Sequence, residues 1–191
     1  MNALMISPAI EEHLQESIPP RGIGIGHLHL HVAELDRAAM FYRDILGFKV
    51  LFYGPKQGLP IVFLTAGDNQ QHIALNTFRS AGGTPPPSKY TGLHHFAIAY
   101  PDHIALARAV ARVKKCGYPI DDARDHGLSL SVYLRDLDGN GIELYYDRRS
   151  YERLDMQGEP INKSEHFDVQ QWLEAVWSGP GVPGKRLRGN R

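Results

Sequence analysis

Apolar and polar residues alternate with a period of two in GIGHLHLHV, residues 24–32. This puts His27, His29 and His31 on one face of a strand and Leu28, Leu30 and Val32 on the other. The period then changes. RAAMFYRDIL (37–46) brings Phe41, Ile45 and Leu46 towards one face of a helix, with Asp36 as its cap and Gly47 as its stop. Residues 48–53 read as a strand, PKQGLP as a turn, IVFLT (61–65) as a strand, AGDNQ as a second turn and HIALNTF (72–78) as the returning strand. The Gly/Pro-rich stretch 80–91 is a linker. After it comes a strand, GLHHFAIAY (92–100), and then a helix capped by Asp102 and stopped by Gly117. SVYL and IELYY flank Asp138-Gly139-Asn140-Gly141, residues that tolerate positive φ, and so predict a hairpin.

The second half repeats the first. His27 and His95 are offset by 68 residues, Asp36 and Asp102 by 66, and Gly47 and Gly117 by 70. IVFLTAGD aligns with SVYLRDLD, and Ile73-Ala74-Leu75 aligns with Ile142-Glu143-Leu144. Each unit reads βαβββ, and neither has enough apolar surface for a core of its own. The fold expected is α+β: modules 22–79 and 92–147 joined as one domain, with curved antiparallel sheets around a shared cavity and helices outside. Residues 1–21 form an N-terminal extension broken at Pro19-Pro20. Residues 148–191 form a C-terminal extension with an amphipathic helix at 168–177 and a Gly/Pro/basic tail.

Composition narrows the function without naming it. Lys and Arg number 21 against 21 Asp and Glu, so no net field favours nucleic acid or an anionic membrane. The apolar runs are far short of a membrane span, and the N-terminus lacks a basic region ahead of an apolar one. A single cysteine, Cys116, excludes an intrachain disulfide framework and fits a reducing cytoplasm. The unpaired module edges and the terminal extensions predict a homo-oligomer. Ten histidines are the compositional oddity.

A lone Glu143 between Ile142 and Leu144 would simply face water, and a lone histidine would be a satisfied core or surface residue. The repeat changes that reading. His27 and His95 open the first strands of their modules, and Glu143 lies on the last strand of the second. All three are expected on the cavity face, with Ala97 and Ala99 leaving room beside His95. Two imidazoles and one carboxylate form the facial set that leaves positions open on Fe(II), although the same ligands suit Zn, Mn, Co or Ni. His94 is expected on the opposite strand face from His95, and His31 lies nearly two pleats from His27.

GHLHLHVAELDRAAMFYRDILGF, GLHHFAIAYPD and YLRDLDGNGIELYYD resemble the vicinal oxygen chelate superfamily of paired βαβββ modules. Within it, the chain is most similar to the small, one-domain type I extradiol dioxygenases acting on dihydroxybiphenyl or catechol. That resemblance implies Fe(II) held by His27, His95 and Glu143, with a catecholic substrate and O2 as reactants. It implies His72 as the acid-base residue, Tyr133 as a donor to a substrate oxygen, and His126 of DHGLS in an assisting role. Ala74 stands where glyoxalase-type members carry a fourth ligand, and alanine cannot ligate. A metal-dependent glyoxalase- or resistance-type enzyme, or a non-catalytic aromatic-binding module, are the alternatives.

Overall fold

The computed structural model describes residues 25–67, 69–87, 89, 91–148 and 163–178. The N-terminal extension, most of the connector after Arg148 and the basic tail lie outside the described residues. In the first module β1 (Leu28–His31) leads into α1 (Leu35–Met40), which widens into a π-helical turn over Phe41–Ile45. Three strands follow: β2 (Lys49–Tyr53), β3 (Ile61–Thr65) and β4 (Ile73–Asn76). The second module repeats this with β5 (Phe96–Ala99), α2 (His103–Lys115), β6 (Asp122–Asp125), β7 (Ser129–Arg135) and β8 (Gly141–Asp147). The C-terminal extension contributes β9 (Glu165–His166) and α3 (Val169–Ser178).

The sheets run β1-β4-β3-β2 and β5-β8-β7-β6-β9, and they are mixed rather than purely antiparallel. β1 pairs with β4, and β5 with β8, in parallel. The crossover helix accounts for this departure from the expectation. It returns the chain to its starting direction, and two hairpins then bring the last strand back in that same direction.

α2 begins as expected, with the Asp102 carboxylate accepting from Ala105 N at 2.7 Å. α1 does not. Glu34 occupies its cap position without a side-chain bond, and Asp36 lies in the first turn. The Asp36 carboxylate is instead engaged by the Tyr53 hydroxyl, at the helix end where the backbone dipole favours negative charge. The π turn shifts the helical phase, and the adjacent rings of Phe41 and Tyr42 are both buried. Gly47 and Gly117 stop the two helices at φ of 80° and 73°.

One core spans both modules. Leu30, Val62, Leu64, Ile73 and Leu75 line it from the first sheet, Val132, Leu134, Ile142 and Leu144 from the second, and Leu106, Val110 and Val113 from α2. Burying each such side chain stabilises the fold by about 1.5–3 kcal/mol. The Asp-rich turn between β7 and β8 fastens the first module to the second. Tyr42 donates to Asp136 at 2.8 Å in the interior, and Ala33 N donates to Asp138 at 2.8 Å. Asp136 also accepts from the backbone of Asp138 and Asn140 and from the Asn140 side chain, so its buried carboxylate is well satisfied. α3 buries Leu173, and Asp168 accepts from Gln171 N at 2.7 Å at its start. Among the described residues no helix is long and apolar enough to cross a membrane.

Candidate metal centre

Alternation along β8 sends Ile142 and Leu144 into the core and leaves Glu143 on the other face. The ladders then choose its neighbours. Glu143 pairs with Tyr133 on β7 and with Ala97 on β5, the strand that His95 immediately precedes. His95 Nε2 lies 3.1 Å from Glu143 Oε2, with the two side chains 29% and 15% exposed. The Tyr133 hydroxyl donates to Glu143 Oε1 at 2.8 Å, and His126 Nε2 lies 2.9 Å from the Tyr133 oxygen. Four of the six residues singled out by the sequence therefore form one continuous polar chain.

The protons along that chain follow from donor chemistry. An ionised carboxylate only accepts, so the Tyr133 O–H donates to Glu143 Oε1, while His95 Nε2 lies beside its other oxygen. The Tyr133 oxygen in turn accepts from His126 Nε2–H. Partial burial, then the hydrogen bond to Glu143, push the Tyr133 hydroxyl up to about 12, so the phenol keeps its proton at neutral pH.

His94 corrects the sequence expectation. Both histidines precede β5, where strict alternation has not begun, and His94 Nδ1 lies 2.7 Å from His95 Nδ1. Both line a cleft of about 370 Å³ with Tyr133, walled by Arg124, Arg135, Asp121 and Asp122. Arg124 is held by Asp122 at 2.7 Å and by Ser164 and His166 at 3.1 Å, which brings the C-terminal extension to the cleft wall. Asp122 and Arg124 carried no sequence signal, because β6 shows no clear alternation. Gly141 is needed for a reason other than the turn. A Cβ there would lie 2.2 Å from the His94 carbonyl oxygen and 3.1 Å from His95 Cβ, so the bare backbone lets β8 approach the histidine pair.

His27 and His72 lie elsewhere. They lead into the adjacent parallel strands β1 and β4, where Leu28 N donates to the His72 carbonyl at 2.9 Å. His27 is exposed, its ring 6.2 Å from that of His29. His72 Nδ1 accepts from Ala66 N at 3.2 Å, and the ring faces a cavity of about 310 Å³ shared with Ala97 and Ala99. Ala74, paired with His29, is fully buried. Among the described residues no group of three His, Cys, Asp or Glu side chains is close enough to hold one metal ion. His95 and Glu143 offer one nitrogen and one carboxylate oxygen at a separation that a single ion can span. The donor chemistry fits a divalent transition metal, with two of the three expected ligands together in one chain.

Comparison with known proteins agrees with this architecture. The family model for the Glyoxalase/Bleomycin resistance protein/Dioxygenase superfamily matches residues 24–144. The chain belongs to that superfamily. It is 38% identical over 151 residues to a catechol-2,3-dioxygenase of Bacillus subtilis, covering 78% of this chain and 51% of the relative. It is 30% identical over 132 residues to biphenyl-2,3-diol 1,2-dioxygenase 3 of Rhodococcus globerulus, covering 69% and 65%. The chain thus spans about half to two thirds of the length of these superfamily relatives. Among solved structures, a lactoylglutathione lyase from Agrobacterium tumefaciens superposes with a TM-score of 0.52 at 25% identity, covering 66% of this chain and 96% of that one.

Proposed function

We propose that this superfamily member is an Fe(II)-dependent extradiol dioxygenase, a cytoplasmic enzyme that opens the ring of a catechol-type substrate with O2 during the degradation of aromatic compounds. The observation that carries this reading is the His95–Glu143 pair with Tyr133 fixed on the same carboxylate, beside a cleft. The likeness to the two dioxygenases supports it. So does Ala74, which withholds a fourth ligand and keeps positions open for two reactants.

In this reading His95, Glu143 and His27 hold the ion. A divalent ion held there would supply Lewis acidity that makes a catechol hydroxyl easier to deprotonate. His95 Nε2 must be free of its proton to ligate, and His94 Nδ1 is placed to accept a hydrogen from His95 Nδ1 in that tautomer. Tyr133 orients a substrate oxygen through its hydroxyl, and His126 supports that hydroxyl from behind. His72 supplies the acid-base function, since an imidazole can both take and return a proton.

The protein acts as a homo-oligomer in which the sites are shared. His27 and His72 sit together at one end of the first sheet, and His95 and Glu143 at the corresponding end of the second. The buried Tyr42–Asp136 bond and the common core fix the two modules to each other. A second copy therefore completes each half. Ile25 and Leu93 precede His27 and His95 by the same interval and are 88% and 60% exposed, apolar surface suited to such a contact.

The test is to load the protein anaerobically with Fe(II), add catechol or 2,3-dihydroxybiphenyl, and admit air. The expected outcome is a yellow ring-fission product with matching oxygen uptake. Failure of both, together with isomerase or lyase turnover on a thiol adduct, would assign the chain to the glyoxalase branch.

A further inference from the structure

His126 sits in the turn between β6 and β7, where few backbone groups are satisfied by ladder pairing. Its own N donates to Ser129 O at 2.9 Å. The rest of the turn is held by one buttress. Gly127 N donates to Asp125 Oδ1 at 2.8 Å. Arg148 grips the Asp125 carboxylate with both arms, Nη1 at 2.6 Å and Nη2 at 2.9 Å, and Nη1 also reaches Gly127 O at 2.6 Å. The backbone N of Arg148 donates to Leu128 O at 3.0 Å. Lys163 Nζ lies 3.0 Å from Asp125 Oδ2 and its backbone N 3.5 Å from the His126 carbonyl. β9 then pairs Glu165 with Asp125, extending the grip along β6.

This is not an ordinary surface pair. The Arg148 and Asp125 side chains are 18% and 19% exposed, and a two-pronged guanidinium–carboxylate contact fixes direction as well as distance. Both cations lie beyond the segment 24–144 that matches the superfamily model. The extension therefore reaches back to the turn whose imidazole touches Tyr133.

We propose that Arg148 and Lys163 are positioning residues that lock the Asp125–Gly127 turn, so that His126 presents Nε2–H to the Tyr133 oxygen. The proposal rests on the role given to Tyr133 above, but its geometry is made by protein groups alone. A His126 released from the turn would sample several rotamers and both neutral tautomers, and Tyr133 would lose the donor that directs its proton to Glu143.

Long-range proton–nitrogen NMR of the metal-free protein reads the tautomer of each histidine, with His126→Gln assigning the signal. The wild type should show His126 as the Nε2–H form. Lys163→Met, Arg148→Met and Arg148→Lys, which keeps the charge but loses the fork, should each replace that signal by a mixture, with the His103 signal unchanged. Should Arg148→Met fail to fold by circular dichroism, Lys163→Met and Arg148→Lys carry the test. A single Nε2–H form persisting in these folded variants overturns the proposal. Loss of the single tautomer in a protein that shows no ring cleavage supports the positioning and rejects the dioxygenase activity, so the two failures are separable.

Discussion

Tyr133 and Glu143 are directly opposed across the β7–β8 ladder, and the phenol donates to the carboxylate at 2.8 Å. A residue proposed to contact substrate is thus oriented by a residue proposed to hold the metal. The hairpin register sets both. A one-residue slip would send Glu143 into the core and Ile142 towards the cleft.

Tyr133→Phe should leave metal affinity nearly intact while lowering kcat roughly 10²-fold, the range expected for one positioned proton-bearing group. The lost hydrogen bond should cost about 1 kcal/mol of stability. Fe(II) titration, steady-state kinetics and urea denaturation on one preparation check all three.

The shared-site reading predicts complementation. His27→Ala and Glu143→Ala proteins should each be inactive and bind metal weakly. Mixing them after mild dissociation should restore activity, because a mixed pair rebuilds one complete site. Turnover and bound iron in the mixture, compared with each parent, report the result; no recovery in pairs shown by mass to have exchanged would place all ligands in one chain.

Gly141→Ala should disturb the centre from outside its ligand set. The added methyl meets the His94 carbonyl, and the strands must part to admit it. The expected cost is on the order of 1–3 kcal/mol, with weakened metal binding. Thermal unfolding beside a metal titration measures both.

Acid should loosen the C-terminal buttress. Burial opposes ionisation of Asp125, but Arg148, the Gly127 N–H and Lys163 outweigh it and hold the carboxyl well below its usual range. A depressed carboxylate stabilises the fold above its unfolded value, near 3.9, and that contribution fades as pH falls towards the folded value. The stability difference between wild type and Asp125→Asn should therefore be constant above about pH 5 and shrink below it. Urea unfolding across that range tests the sign.

Much of the architecture was legible because the modules repeat. Matching offsets for His27 and His95, and for the helix stops, located two βαβββ units without reference to any relative. Period-two alternation placed Glu143 off the core face, and the structure keeps it there beside His95 and Tyr133. The failures have local causes. Alternation misassigned His94, which precedes regular strand geometry, and the Asp36 carboxylate went to Tyr53 rather than to the start of α1. The separation of His27 from His95 was not readable, because periodicity fixes a face of one sheet and says nothing of how two sheets sit relative to each other. The grip of Arg148 and Lys163 on Asp125 pairs residues 23 and 38 positions apart in the chain, beyond the reach of any pattern.

The most direct test of the dioxygenase reading is isotopic. Fe(II)-loaded protein given a catechol under ¹⁸O₂ should yield a ring-opened product carrying label from both atoms of the gas, read by mass spectrometry under conditions that limit exchange with water. A product with label from only one atom, or substrate returned intact with no oxygen consumed, would contradict the account.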